Sequence, residues 1–281
     1  MKILVTGATG FIGNHVVAEL LKNNYHVIAT SSIEEKAKAF PWFKDVEYEV
    51  FNLSKFKSRV DYYTFFHKPD AIIHLAWQGL PNYNSLFHIE QNLLKHYFFL
   101  KNLVSNGAAD ITVTGTCFEY GFQEGKLNEK LPAMPANPYA IAKDSLRKFL
   151  EQLQQNISFS LKWIRLFYTY GEGQNPNSIL SQLEKALIEN SGEFNMSFGD
   201  QQRDYLPVAK VAEYTVKIAT QKKVEGIINC CSGIPITVSE LVESFLKQAN
   251  QKIKLNKGFY TYPLHEPMHF WGDDSKLKKI L

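Results

Sequence analysis

The chain has 281 residues, 45% hydrophobic and 21% charged, a composition typical of a folded globular protein and not of a disordered or fibrous one. Lys and Arg exceed Asp and Glu by 31 to 28, so bulk charge predicts no nucleic-acid partner and no membrane partner. The longest apolar runs are shorter than the roughly 18 residues that a membrane helix needs. Cys117, Cys230 and Cys231 cannot all pair with one another, which favours a reducing, cytoplasmic location. We expect no metal site.

Short β-rich runs alternate with longer helical stretches, a pattern typical of a parallel sheet with helices on both faces. The predicted strands cover residues 3–6, 26–30, 46–51, 71–75, 111–116 and 159–166, and the predicted helices cover 11–23, 85–105 and 139–154. Beyond Gly171, glycines and prolines interrupt shorter elements. We therefore predict a doubly wound, Rossmann-type α/β fold with a smaller, partly discontinuous C-terminal substrate lobe. Residues 1–170 and 204–230 would form the dinucleotide-binding domain, and residues 171–203 and 231–281 the substrate domain.

A glycine-rich turn joins the first predicted strand to the first predicted helix, with the sequence Thr6-Gly7-Ala8-Thr9-Gly10-Phe11-Ile12-Gly13. Such a turn exposes backbone N–H groups and the positive end of the helix dipole, which suits a pyrophosphate. The glycines are three residues apart, unlike the usual Rossmann spacing, and an ordinary tight turn is the alternative interpretation. The position between a strand and a helix favours dinucleotide binding.

Tyr139 and Lys143 are four residues apart at the start of a predicted helix, and therefore lie on one face of it. An ammonium group beside a phenol stabilises the phenolate and lowers its pKa, so that the tyrosine exchanges a proton with a substrate oxygen near neutral pH. The same spacing also describes an aromatic ring packed beside a solvated lysine.

The glycine turn resembles the fingerprint of the extended short-chain dehydrogenase/reductase family, of the NAD-dependent epimerase/dehydratase type. The resemblance runs in order through nearly the whole chain: Ile72-Ile73-His74-Leu75-Ala76, Asn92, Thr116, Tyr139 to Lys143, Arg165, Gly171 to Gly173, Arg203-Asp204-Tyr205 and Asn229. It implies a bound NAD or NADP, a nucleotide-diphosphate sugar as substrate, and a homodimer. It also implies a catalytic group of Thr116, Tyr139 and Lys143. A threonine that only completes a turn is the alternative for Thr116.

The resemblance places the cofactor against the turns that follow several strands. The implied cofactor-binding residues are Gly7, Thr9, Gly10, Phe11, Ile12, Gly13, Ser31, Ser32, Asn52, Leu53, Leu75, Ala76, Trp77, Asn92, Tyr139 and Lys143. An acid after the second strand of a dinucleotide fold binds the adenosine ribose and repels a 2′-phosphate, whereas this chain has Ser31 and Ser32 there, with Lys36 nearby. These groups favour NADP(H), with NAD(H) possible. A simple helix cap is the alternative role of the two serines.

The resemblance also implies a substrate-binding set, which comprises Trp77, Tyr83, Cys117, Phe118, Tyr168, Asn177 and Arg203. A guanidinium donates two parallel hydrogen bonds, so Arg203 is expected to bind the diphosphate, and a surface ion pair with Asp204 is the alternative. Cys117 is expected to be a small buried apolar residue rather than an acid. His265-Glu266-Pro267 stands where relatives often have a phosphate-binding arginine.

The residues after Thr116 narrow the activity that the resemblance implies. Dehydratases of the family have Asp-Glu there, whereas this chain has Cys117-Phe118, which argues against dehydration. Residues 75–83 and 115–121 resemble bacterial reductases of 4-keto-6-deoxy nucleotide sugars, and we therefore expect a 4-ketoreductase of surface-polysaccharide sugar synthesis. The alternatives are a 4-epimerase with tightly bound NAD and a non-catalytic dinucleotide-binding sensor.

Overall fold

The computed structural model describes residues 1–262 and 266–281. Its strands are β1 Lys2–Thr6, β2 His26–Ser31, β3 Glu47–Val50, β4 Ala71–His74, β5 Asp110–Thr116, β6 Gly125–Leu127, β7 Ser160–Leu166, β8 Tyr168–Tyr170, β9 Glu193–Met196, β10 Gln202–Pro207, β11 Gly226–Cys230, β12 Pro235–Thr237, β13 Lys254–Lys257 and β14 Phe270–Gly272. Its α-helices are α1 Phe11–Lys22, α2 Glu34–Lys38, α3 Tyr62–Phe65, α4 Leu93–Ser105, α5 Pro138–Leu153, α6 Ile179–Ile188, α7 Val208–Thr220 and α8 Val238–Gln248. Among these helices, none has the length and apolar character needed to cross a membrane.

Seven parallel strands form the central sheet, in the order β11-β7-β5-β4-β1-β2-β3. The chain runs outward from β1 in both directions, so β1 and β4 flank the topological switch point, where doubly wound proteins bind ligands beyond the carboxyl ends of the strands. Side chains of β1 alternate between the two faces, because Ile3 and Val5 pack in one apolar cluster and Leu4 packs in another. The predicted doubly wound α/β fold is confirmed.

Smaller sheets lie beyond the central one. Strands β8, β10 and β12 form a three-stranded sheet, and β9 pairs with β13. Helices α6 and α8 share an apolar cluster with β9, which includes Leu183, Phe194 and Val242. Strand β14 pairs with β6, so the end of the chain contacts the loop that precedes α5. The predicted domain boundary at 203/204 falls inside β10, and the division into two domains stays a prediction.

The predicted helix over 85–105 begins later than expected. One wide π-helical turn spans His88–Asn92 and leads directly into α4. Ser85 lies before it in a turn, where its N–H donates to the Asn82 carbonyl over 3.2 Å. The side chains of His88 and Asn92 are buried and bond to carbonyls of the preceding loop, which widens this turn. Isolated π turns are frequent at functional sites.

Candidate active site

The glycine turn presents the N-terminus of α1 to the cleft beyond β1 and β4. A Cβ at Gly13 would stand 2.1 Å from the Gly7 carbonyl oxygen, and a Cβ at Gly7, where φ is +73°, would stand 2.7 Å from the backbone nitrogen of Ala76. Only glycine permits these approaches. Gly10 is the N-cap of α1, and no side chain in the described ranges caps that helix. Its first N–H groups therefore fit a pyrophosphate.

The predicted adenosine-binding residues lie at the ends of β2 and β3. The Ser31 hydroxyl is 2.7 Å from the hydroxyl of Tyr48, while Ser32 is exposed. The Asn52 side chain accepts a hydrogen bond from the Ser54 N–H over 2.9 Å and so caps a short turn. Leu53 packs against the apolar core. The hydroxyls at the end of β2 thus stand where an acid would exclude a 2′-phosphate.

Thr116 and Tyr139 lie at the carboxyl end of β5, and Lys143 is buried beside them, where its Nζ donates to the Thr114 carbonyl over 2.8 Å. Thr116 is the last residue of β5, whereas Tyr139 and Lys143 lie in the first turns of α5. A cavity of about 510 Å³ is lined by Thr116 and Tyr139 together with Phe11 and Ile12 of the glycine turn. The predicted proton donor therefore faces the same space as the predicted dinucleotide cradle.

Burial governs the ionisation of Tyr139 and Lys143. Burial raises the pKa of the Tyr139 phenol, with smaller increases from Tyr83, Glu119 and Cys117. Burial also lowers the pKa of Lys143 to about 7, and the Glu119 carboxylate partly opposes that shift. The expected lowering of the tyrosine pKa by Lys143 is wrong, because burial of the phenol is the largest influence on that pKa and raises it.

Most of the predicted substrate-binding residues line the same cavity. They are Tyr83, Cys117, Phe118, Tyr168 and Asn177. The Tyr139 N–H donates to the Tyr83 carbonyl over 3.1 Å, which holds the 80–85 loop against α5. The rings of Tyr83 and Phe118 are 5.2 Å apart. Burial raises the pKa of the Cys117 thiol to about 12, so at neutral pH this group is uncharged. The cavity thus combines aromatic walls with a few polar groups, as small-ligand sites do.

Arg203 lies outside the set of residues that line this cavity. Its guanidinium is 3.3 Å from the Glu266 carboxylate and 4.6 Å from the ring centroid of Phe270. The alternative of a surface pair with Asp204 does not apply, because Arg203 is 2% exposed and Asp204 instead accepts backbone N–H bonds, including one from Ser232. His265 falls outside the described residues.

Trp77 and Asn92 lie behind the catalytic pair, and neither of them is among the cavity-lining residues. The Asn92 amide donates to the Gln78 carbonyl over 2.8 Å. The Trp77 ring packs edge to face on Tyr139, with 6.1 Å between ring centroids. Trp77 therefore packs against Tyr139 of α5 instead of forming a wall of the cavity.

Two groups of buried polar side chains near the site had no role in the sequence-based prediction. Glu119 is fully buried and accepts hydrogen bonds from the Thr116 N–H over 2.9 Å and from Arg165 Nε over 2.8 Å. A Glu three residues after a Thr is the sequence pattern of a capping box, and this pattern could have indicated the bond between Glu119 and the Thr116 N–H. His88 and His96 surround Trp77. Their spacing of eight places them on one helical face, but nothing in the sequence indicates the tryptophan between them.

A glycine-cradled helix N-terminus that shares a cleft with Thr116 and Tyr139, beside a buried lysine one turn further along α5, defines a dinucleotide-binding protein of the Rossmann class. The chain belongs to the NAD-dependent epimerase/dehydratase family, whose model matches residues 3–231. The family predicted from the sequence is thereby confirmed. It is a family of enzymes that act on nucleotide sugars.

Similar proteins include both oxidoreductases and epimerases. The chain is 33% identical over 274 residues to a dTDP-6-deoxy-L-talose 4-dehydrogenase (NAD(+)) of Aggregatibacter actinomycetemcomitans, covering 97% of this chain and 99% of that one. It is 24% identical to a dTDP-4-dehydro-6-deoxyglucose reductase of Escherichia coli, covering 94% and 85% of the two chains. Its fold matches a UDP-glucuronic acid 4-epimerase of Bacillus cereus in complex with UDP-glucuronic acid and NAD, with TM-score 0.82, 23% identity, and coverage of 100% and 93%.

Proposed function

We propose that this protein is a nicotinamide-dependent 4-ketoreductase of a nucleotide-linked 6-deoxy sugar, which also runs in the reverse, 4-dehydrogenase direction. The observation that carries the proposal is the shared cavity, in which Tyr139 and Thr116 face the glycine turn. The similarity to a 6-deoxy-sugar 4-dehydrogenase over 97% of the chain supports carbon 4 as the reacting position.

Each residue of the site has a separate role in the reduction. Reduction adds a hydride to carbon 4 and a proton to its oxygen, and the bound dinucleotide supplies the hydride. Tyr139 donates the proton, because its buried phenol is un-ionised and stands in the cavity. The Thr116 hydroxyl bonds the same substrate oxygen. Lys143, at the next turn of α5, binds the nicotinamide ribose. Arg203 lies 5.8 Å from the ring centroid of the cavity residue Tyr168 and binds the diphosphate with its planar guanidinium in competition with Glu266.

The proposed cofactor is NADP(H). Ser31 and Ser32 carry no charge that would repel a 2′-phosphate, and Lys36 is exposed close by. The 33% identical relative, however, has NAD(+) in its name. The test compares kcat/KM for NADPH and NADH with the same sugar nucleotide. A clear preference for NADPH supports the proposal, and a preference for NADH overturns the cofactor choice while leaving the 4-ketoreductase proposal intact.

The proposed assembly is a homodimer that pairs α4 and α5 with the same helices of a second copy. Exposed apolar side chains on these two helices are Leu94 and Phe98 on α4 and Ile141 and Phe149 on α5, each 37–48% exposed. The rings of Tyr97 and Phe149 join the two helices, with 5.4 Å between centroids. Such a two-helix apolar face is the kind that a second copy covers. A cytoplasmic location also stays a prediction.

The test of the activity is a screen of 4-keto-6-deoxy nucleotide sugars with NADPH and NADH. We expect Tyr139→Phe to lower kcat by about 10²- to 10⁴-fold with dinucleotide affinity unchanged, because only the proton donor is removed. Tyr25→Phe serves as the matched control, because Tyr25 directly precedes β2 at the amino end of the sheet, and it should keep full activity. Undiminished turnover in Tyr139→Phe would remove the proposed proton donor.

A 4-epimerase is the second candidate, because the fold matches that of a UDP-glucuronic acid 4-epimerase over the full chain. An epimerase returns the hydride to the opposite face of the sugar and keeps its cofactor throughout, whereas a reductase releases oxidised cofactor after each turnover. Stoichiometric, tightly held NAD in the purified protein, with interconversion of 4-epimers and no net oxidation of added NADPH, would favour the epimerase.

A further inference from the structure

The Lys143 ammonium occupies a pocket with two distinct contacts. Lys143 is 2% exposed, and its Nζ donates to the Thr114 carbonyl over 2.8 Å. The same nitrogen lies 4.1 Å from the ring centroid of Trp77. An ammonium at that distance from an indole face is within the range of a cation–π interaction, which is strongest for tryptophan and strengthens when water is excluded.

The Trp77 indole is fixed by a stacked ring and by a hydrogen bond at its edge. The ring stacks on His96 with 4.5 Å between centroids and 21° between planes. Its Nε1–H donates to Nδ1 of His88 over 3.1 Å. Because an indole N–H can only donate, His88 Nδ1 accepts, so Nε2 carries the proton and donates to the Asn82 carbonyl over 2.8 Å. The indole therefore cannot turn away from Lys143 without breaking these contacts.

We propose that Trp77 is a positioning residue, whose indole face holds the Lys143 ammonium in its charged form while His88 and His96 hold the indole. The consequence for the reaction rests on the proposed function, which gives charged Lys143 the task of binding the ribose beside Tyr139. The cation–π hold, meaning the contact of the Trp77 indole with the Lys143 ammonium, depends only on the contacts given above. Three aromatic side chains thereby have a function in holding Lys143: His88 on the π turn, His96 on α4 and Trp77 after β4.

The groups around Lys143 leave the indole a large share in keeping it charged. Tyr139 faces it from its own helix, Glu119 from the turn after β5, and His74 from β4. Burial lowers the pKa of His74 to about 3 and that of His96 well below its ordinary value, so both rings are neutral. Only Glu119 among these groups opposes the burial that lowers the pKa of Lys143 to about 7.

The direct test measures the pKa of Lys143 in the purified protein without added substrate. Protein labelled with ε-¹³C lysine is titrated by NMR, and Lys143→Met identifies the resonance. We expect Trp77→Leu to lower this pKa by about one pH unit, because the π face is lost. Trp77→Phe retains a ring face and should restore most of the difference. An unchanged pKa in Trp77→Leu overturns the proposal, and a raised pKa does so too, because it would mean that the indole acts by excluding water.

The second measurement is the pH dependence of kcat/KM. A lysine is charged below its pKa, so activity that needs the ammonium is lost as pH rises through that value. A lower pKa in Trp77→Leu therefore moves the alkaline limb to lower pH, and Trp77→Phe moves it back. A uniform loss of rate with an unmoved limb would mean a merely structural role and overturn the proposal. Should Trp77→Leu fail to fold, Trp77→Met fills the gap with an unbranched chain and carries the same expectation.

The two proposals fail in distinguishable ways. If the wild-type protein reduces none of the sugar nucleotides but the Lys143 resonance responds to Trp77→Leu as expected, the proposed function fails and the cation–π hold stands. If the protein is an active reductase and the resonance does not respond, the hold fails alone. Thermal unfolding of each variant separates both results from a general loss of structure.

Discussion

Replacing Gly13 by alanine tests whether the glycine turn is the dinucleotide cradle. The added Cβ would stand 2.1 Å from the Gly7 carbonyl oxygen and 2.9 Å from its carbon, and real Cβ atoms essentially never come closer than 3.0 Å to such atoms. The atoms in the way are backbone, so the turn itself must move by roughly 0.9 Å or more. Overpacking of this kind costs about 1–3 kcal/mol of unfolding free energy.

The same displacement should weaken the binding of the dinucleotide. Moving the turn away from the N-terminus of α1 displaces the N–H groups that would donate hydrogen bonds to the pyrophosphate. Loss of one hydrogen bond to a charged group raises Kd by about tenfold or more. Urea unfolding and calorimetric titration with NADPH and NADH measure the two effects. Gly192→Ala is the matched control, because a Cβ there meets nothing within 4 Å. A Gly13→Ala protein that keeps both its stability and its dinucleotide affinity would refute the cradle.

Two further predictions concern the diphosphate contact and the assembly. Glu266→Gln should tighten the binding of dTDP or UDP by about two- to fivefold, because it removes the carboxylate 3.3 Å from Arg203. Calorimetric titration measures this, and weaker binding would contradict the proposal that Glu266 competes with the diphosphate for Arg203. Phe98→Glu should convert the proposed dimer to a monomer in size-exclusion chromatography with light scattering, because it places a charge in the proposed α4 and α5 interface. Ile188→Glu, which alters an 80% exposed side chain on α6, should leave the assembly unchanged.

The fold and much of the candidate site were predictable because they depend on local patterns. Short β-rich runs separated by helical stretches gave six of the seven strands of the central sheet, and β11 was missed. The glycine turn falls between β1 and α1 as expected. The four-residue spacing of Tyr139 and Lys143 places both in the first turns of α5. A period or a spacing reports the face of an element directly, which is why these features follow from sequence alone.

Contacts between distant segments were not predictable in the same way. The Tyr139 pKa is raised because the whole cavity wall desolvates the phenol, and no spacing in the chain reports that. Glu266 reaches Arg203 from 63 residues away, so the ion pair had no local signature. The late start of the 85–105 helix has a similar cause, because the polar side chains of His88 and Asn92 turn inward to bond loop carbonyls.

The pairing of β6 with β14 joins the end of the chain to the segment that leads into α5. The Gly125 N–H donates to the His269 carbonyl over 2.7 Å, and the Asp273 N–H donates to the Leu127 carbonyl over 2.8 Å. Removing residues 270–281 would take away β14 and the Asp273 bond, while Asn229 Nδ2–H would still donate to the Leu127 carbonyl over 2.9 Å. Because β14 pairs with β6 in the segment before α5, the predicted substrate lobe is expected to unfold together with the central sheet, so that heating gives one calorimetric transition and activity disappears together with the fold instead of before it.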